Sequence, residues 1–273
     1  EDKVCRRPKI VLIDNEHLSI KAGSDNQHFV SILDCLKQSD VSYQSVIHNE
    51  DAMNYILNSG CQKLAQIRQE SPSAGGLVVA SSIKHAKDIQ KRLVEQFNQS
   101  ACIVTYHHDN PLHEIESFRH STVQWIVSVG MISEGTDIPR LQVCCHMSSV
   151  KTELYFRQVL GRILRINDSP NQEAWLYTFA EESLIGFAER IEQDIPESCL
   201  FIKSNEQTEE SDKAQSFTPT DLSNDKIMVS GESSIQLNWS KIDGVQNAFY
   251  SDFEGYDELR LGDFKQRVIA TFT

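Results

Sequence analysis

Short, uninterrupted apolar runs alternate with longer amphipathic stretches over the first two thirds of the chain. The runs Leu77 to Ser81, Ala101 to Thr105, Gln124 to Val129, Leu141 to Met147 and Ala174 to Phe179 are too short for core helices and predict buried strands. Between them, Ile83 to Asn98, Pro111 to His120, Thr152 to Ile166 and Glu181 to Ile195 repeat apolar positions at helical spacing. Upstream, residues 24–39 and 50–69 predict two more helices, the first opening at Ser24 or Asp25 and carrying Phe29, Val30, Leu33 and Leu36 on one side. Pro72, Ser73, Gly75 and Gly76 interrupt the pattern before the first run. Wholly apolar strands bounded by helices require cover on both faces, which predicts an α/β three-layer open sandwich around a mostly parallel sheet. Ligands of such sheets gather at the carboxyl ends of the strands, so the loops after Ala80, Thr105, Val129 and Met147 are the places to look for chemistry.

Past residue 200 the pattern changes. Residues 203–234 are rich in Ser, Thr, Asn, Asp, Glu and Gln with few large apolar side chains, which predicts a flexible polar linker. In residues 235–273, Ile235, Leu237 and Trp239 alternate with polar residues ahead of an Asp243-Gly244 turn, so a small C-terminal extension, a hairpin or further module without assigned role, is expected.

Composition narrows the function classes. With 40% hydrophobic and 24% charged residues the chain is of ordinary globular composition, and no apolar run approaches the roughly 20 residues needed to cross a bilayer. A formal net charge of −13 excludes an unspecific polycation, so contact with phosphate has to come from a local basic surface. The 7 cysteines form an odd set without a Cys-x-x-Cys pair, against a disulfide framework or zinc knuckle, and reduced thiols in a cytoplasmic protein are expected. His107, His108 and His113 lack a supporting Cys or carboxylate pattern, so no metal site is expected. The chain opens on polar Glu1 to Pro8 rather than on a Met and a basic-then-apolar leader, and an excised fragment is the expectation.

The most informative stretch is Thr152-Glu-Leu-Tyr-Phe-Arg-Gln-Val-Leu-Gly-Arg-Ile-Leu-Arg165. At 100° per residue, Gln158, Arg162 and Arg165 share one stripe beside an apolar one of Val159, Ile163 and Ile166. Gly161 costs about 1 kcal/mol relative to Ala in mid-helix, which predicts that something packs or binds close there. The strand ending at Val129 runs into Gly130-Met-Ile-Ser-Glu-Gly-Thr-Asp-Ile-Pro139, where Gly135 permits close backbone approach and Asp137 offers an acceptor suited to a ribose hydroxyl.

Together these resemble motifs V and VI of superfamily 2 helicases: Glu-Gly-Thr-Asp-Ile-Pro, then Gln158-x-x-Gly161-Arg162-x-x-Arg165 after an intervening strand. Gly75-Gly-Leu-Val-Val-Ala-Ser-Ser82 before a helix resembles motif IV, and Trp125-Ile-Val-Ser-Val with Arg140-Leu is similar to type III restriction-like and other phage and bacterial helicases. The resemblance covers about residues 50 to 195 and implies a RecA-like domain, of P-loop NTPase fold without its own P-loop. It implies a partner, the first RecA-like domain of the same polypeptide, which holds most of the ATP and Mg2+. Residues 1–22 are then expected to connect from that domain, and 23–200 to form the second.

The resemblance also assigns roles. Gln158 faces the phosphates, Arg162 and Arg165 stabilise charge on the transferring γ-phosphoryl, and Gly135 and Asp137, with Gly161, belong to the nucleotide-binding set, Asp137 reaching the ribose or coupling to motif VI. Val129 stands where a backbone-contacting threonine is common, which leaves Ser81, Ser82, Lys84, Tyr106 and the amides near Gly130 as candidates for nucleic-acid contact, with DNA favoured over RNA. A chain lacking Gly-x-x-x-x-Gly-Lys-Ser/Thr and an acidic magnesium pair is expected to hydrolyse no ATP alone. The alternatives are a restriction or defence translocase that does not separate strands, and a non-catalytic protein-binding module.

Overall fold

A computed structural model describes residues 5–105, 110–130, 137–193 and 256–270. Gly135, Tyr106, His107, His108 and the polar segment 203–234 lie outside the described residues. The chain order is β1 (Arg7–Asn15), β2 (Leu18–Ala22), β3 (Asp25–Phe29), α1 (Ile32–Gln38), α2 (Tyr43–His48), α3 (Glu50–Glu70), β4 (Gly75–Ala80), α4 (Ile83–Glu95) and β5 (Ala101–Val104). It continues with α5 (Pro111–His120), β6 (Trp125–Val129), β7 (Leu141–Met147), α6 (Glu153–Ile163), β8 (Glu173–Phe179), α7 (Glu182–Gln193), β9 (Glu258–Leu261) and β10 (Phe264–Ala270).

A 7-stranded sheet has the order β10-β1-β8-β7-β4-β6-β5. Every neighbouring pair is parallel except β10, which runs antiparallel to β1 at one edge. The α/β sandwich with a mostly parallel sheet is therefore the fold, and the runs at β4, β6 and β7 are buried at every position because both faces are covered. Helix α3 packs on β4, β7 and β8, and α4 on β4 to β6 and on α3, so they share one face. Right-handed connection puts α5 on the other face, because β5 to β6 steps back across the sheet in the direction opposite to β4 to β5. Helices α6 and α7 pack against each other, with α6 on β7 and β8.

Residues 1–22 read from the sequence as a connecting segment, yet Arg7–Asn15 is a strand between β8 and β10, with Ile10 to Ile13 at most 2% exposed. A run of apolar residues in the middle of a sheet gains burial on both faces, and that outweighs its position outside the alternating region. Residues 256–270, within the expected C-terminal extension, supply β9, which pairs with β2, and β10, which completes the large sheet. The helix expected over 24–39 is also divided. Gly23, at φ +59, turns β2 into β3, and the helix starts later, at the Ser31 cap, whose side chain accepts from the Asp34 N–H. Asp25 to His28 are exposed polar residues with no apolar face to bury as a helix, so strand pairing decides their conformation.

Candidate functional site

Helix α6 follows from its ends and its buried face. Thr152 caps it by accepting from the Tyr155 N–H, and Glu153 in the first turn pairs with Arg157 at 2.9 Å and with Arg190 of α7 at 2.8 Å. Tyr155, Phe156, Val159, Leu160 and Ile163 are buried against the sheet. The helix stops at Ile163, three residues before the predicted end, and the reason is Arg6. Its backbone N–H donates to the Leu164 carbonyl at 2.7 Å, and its guanidinium donates to Ile163 O at 3.3 Å, to Leu141 O and Pro139 O at 2.7 Å and to Asn167 Oδ1 at 2.8 Å. Arg6 is 0% exposed, and burial pushes its pKa down to about 10, which leaves it charged at neutral pH. One side chain thus ties the end of α6 to the segment entering β7. Arg165 consequently sits just past the helix rather than on its stripe.

The end of α6 lies away from the carboxyl edge of the sheet. An α-helix joining two parallel strands must run back along the sheet, so α6 begins near the end of β7 and finishes near the start of β1, where Arg6 meets Leu164. Arg165, two residues past the helix, therefore lies toward the amino ends of the strands, whereas Arg162 reaches the carboxyl half of β4 and the end of β6. Gln158, Val159 and Arg162 line a narrow cleft with Leu77 and Val79 of β4 and with Ser128 and Gly130 of β6 and its exit. Its internal volume of about 10 Å³ accommodates at most a single water, so this cleft among the described residues is too small to enclose a nucleotide. Gly130 leaves the strand at φ +75, a conformation glycine adopts without strain.

Asp137 closes the gap between the two sequence patterns. Its Oδ1 lies 3.1 Å from Arg165 Nη1, with the two side chains 42% and 44% exposed. A pair this exposed contributes about 0 to 1 kcal/mol, so it orients Arg165 without locking it. Gly161 is exposed, and a Cβ there would meet nothing within 4 Å. No described part of this chain explains that glycine by close packing, so of the sequence-based expectation only binding is left.

The loop after β4 differs from its sequence reading. Ser81 is 4% exposed, and its hydroxyl lies 2.8 Å from His48 Nε2 and 2.9 Å from His85 Nδ1. The Ser81 backbone N–H also donates to His85 Nδ1, at 3.2 Å, so that nitrogen is the acceptor. The proton order is then His48 Nε2–H to Ser81 Oγ–H to His85 Nδ1, beneath stacked imidazoles with centroids 4.1 Å apart. Burial and the neighbouring His48 push the His85 pKa down to about 3, which keeps it the neutral acceptor this chain of bonds requires. The Ser81 hydroxyl is thereby committed inside the domain. Ser82 caps α4 by accepting from the His85 N–H, and Lys84 is exposed in the first turn.

Sequence reasoning missed the buried charges. Arg140, 6% exposed, stacks on Phe118 at 4.3 Å and donates to Ser73 O at 2.8 Å, Phe118 O at 3.3 Å and Val123 O at 2.6 Å. The only available signal was position: Arg6 and Arg140 each immediately precede a strand, where loops present unpaired carbonyls. Ser128, on the face of β6 opposite to Val129, lines the cleft with Gln158 and Arg162. Among the described residues no group of His, Cys, Asp or Glu could hold a metal ion, and no helix is long and apolar enough to cross a membrane.

Part of the chain is similar to known proteins. Residues 60–167 match the family model of the helicase conserved C-terminal domain. An uncharacterised protein of Mycobacterium leprae, ML1624, is 31% identical over 140 residues, which are 51% of this chain and 23% of that protein. The Mycobacterium tuberculosis protein Rv2917, also uncharacterised, is 29% identical over 140 residues with the same coverage. The matched part thus spans about a quarter of the length of these relatives. Partial structural overlaps include domain 2 of the DEAD-box helicase Mss116p bound to an RNA duplex (13% identity, TM-score 0.40, 52% of this chain and 56% of that one). The Pyrococcus furiosus Hef helicase domain overlaps at 14% identity and TM-score 0.37, over 50% of this chain and 28% of that one. Residues 60–167, which hold the cleft, Asp137 and Arg165, are thus the part of the chain that is similar to the helicase conserved C-terminal domain.

Proposed function

We propose that this chain is the second motor domain of an ATP-dependent helicase or translocase, completing with Gln158, Arg162 and Arg165 an ATP-Mg2+ site held mainly by a first RecA-like domain. The observation that carries the reading is the meeting of the two sequence patterns: Gln158 and Arg162 share a cleft with Gly130, and Asp137 pairs with Arg165. Phosphoryl transfer demands positioning and charge stabilisation more than covalent chemistry, and guanidinium groups on an open face can meet a nucleotide presented by another lobe. Gly135 and Gly161, and Asp137 once Arg165 has turned to the phosphates, belong to that nucleotide face. The partner strand in this reading is DNA, on the likeness to restriction-type helicases, and it crosses the loops at Ser82, Lys84, Tyr106 and Gly130. Residues 1–273 alone then hydrolyse no ATP above background.

The test uses a longer protein containing this chain and a P-loop domain. Nucleic-acid-stimulated ATPase should fall by about 10³ or more in Arg162→Ala and in Arg165→Ala, with unchanged circular dichroism and thermal midpoint. Stimulated turnover that survives both substitutions overturns the proposal.

A further inference from the structure

Most exposed cations of this acidic chain are neutralised inside the fold. Lys37 pairs with Glu182, Arg157 and Arg190 with Glu153, Lys265 with Asp14 and Glu16, and Arg267 with Glu189. Lys84, Lys87 and Lys91 on α4 are exposed and make no ion pair among the described residues. Apart from Arg7 and Lys21, they are the exposed Lys and Arg side chains of which this holds.

Their arrangement is not scattered. Offsets of three and seven residues place them within about 60° of one another on a helix and along about 10 Å of its length. The acid that could neutralise them is occupied: Asp88, four residues after Lys84, pairs with Arg92 at 3.4 Å, and Arg92 also holds Glu50 at 3.2 Å. Glu95, four residues after Lys91, makes no ion pair with it among the described residues. Lys87 and Lys91 are themselves one turn apart, a like-charge pair that costs an isolated helix a few tenths of a kcal/mol. The row begins at Lys84, the second residue of α4, just past the β4–α4 loop that the His48–Ser81–His85 hydrogen bonds hold in place.

We infer that Lys84, Lys87 and Lys91 form a phosphate-tracking face that carries the nucleic-acid path from the β4–α4 loop along the outside of α4. The inference rests on the helicase reading and extends its nucleic-acid surface beyond the loops at the strand ends. The row's length matches about three phosphates of one strand of a duplex at 3.4 Å of helix axis each. The occupant is a nucleic-acid backbone, met without base readout, since lysine is a point charge without the planar fork that reads base edges.

The test is a salt titration of binding between residues 1–273 and fluorescently labelled single-stranded and duplex oligonucleotides. In the triple substitution Lys84→Ala, Lys87→Ala, Lys91→Ala, the slope of log K against log salt should flatten by about 2 for a single strand or nearly 3 for a duplex, at roughly 0.7 or 0.9 per lost contact. The substituted positions are exposed, and a thermal melt confirms that the fold is intact. An unchanged slope in a variant whose parent binds oligonucleotide overturns the lysine face and leaves the helicase reading standing. A parent chain that binds no oligonucleotide overturns the face together with the nucleic-acid half of that reading, while the Arg162 and Arg165 ATPase result decides the other half. Displacement by poly-glutamate as effective as by nucleic acid of equal charge assigns the face to acidic proteins and overturns it as a nucleic-acid path.

Discussion

Gly76 on β4 is where the fold tolerates least change. A Cβ built there lands 2.4 Å from both Cε3 and Cζ3 of Trp125 and 2.7 Å from Cη2. Carbon atoms in contact sit at about 3.5 to 4.0 Å, so Gly76→Ala forces more than 1 Å of displacement. The indole has nowhere to retreat. Trp125 is 0% exposed, its far side already approaches Gly60, and a Cβ at Gly60 would lie 3.1 Å from the same Cη2 and 2.6 Å from Cys145 Sγ. Overpacking of this kind costs about 1 to 3 kcal/mol, and with the ring held from both sides the upper end applies. The partner substitution Trp125→Leu opens a cavity and costs about 3 kcal/mol alone, but it removes the ring atoms that the new methyl meets. Gly76→Ala should therefore cost under about 1 kcal/mol in the Trp125→Leu background, a coupling of about 2 kcal/mol. Urea unfolding of the four proteins at pH 7, with slopes compared to confirm two-state behaviour, measures that coupling. Additive effects, or a neutral Gly76→Ala, would refute the claim that the glycine exists to seat Trp125.

Acid should destabilise the domain through its buried imidazoles. Burial pushes His85 to about 3 and His146 to about 4, whereas an unfolded histidine titrates near 6.5. Below that value the unfolded chain binds protons that the folded chain refuses, so stability is full above pH 6.5 and falls by at most about 1.4 kcal/mol per pH unit per histidine toward pH 4. Urea midpoints from pH 7 to 5 should show this loss, and His146→Phe should lessen it; a pH-independent midpoint contradicts the assignment. Asp137→Asn should lower stability by less than about 1 kcal/mol, because the pair with Arg165 is exposed, while slowing nucleic-acid-stimulated ATPase of the longer protein well beyond that. A thermal midpoint that drops as far as in Gly76→Ala would show the pair to be structural instead.

The sequence by itself determined the layered α/β architecture, because β4, β6 and β7 are short runs apolar at every position and only a sheet covered on both faces pays such runs back. It also exposed the two patterns around Asp137 and Arg162, since glycine, aspartate and paired arginines at fixed spacing are visible without coordinates. Only the tertiary structure decided which strands join. Arg7–Asn15 and Phe264–Ala270 are 249 residues apart in numbering at Asn15 and Phe264 yet lie in register at one side of the sheet, and strand pairing across such a separation leaves no local trace. Nor does periodicity mark where α6 ends, because the Arg6 side chain that caps it comes from the other end of the domain. The same holds for Ser81: its neighbours in sequence present it as a loop hydroxyl, and His48, brought alongside by packing, joins His85 of the following helix in taking it out of reach of solvent. Local pattern reports which faces must be buried, whereas the partners of each buried polar group are set by packing between distant segments.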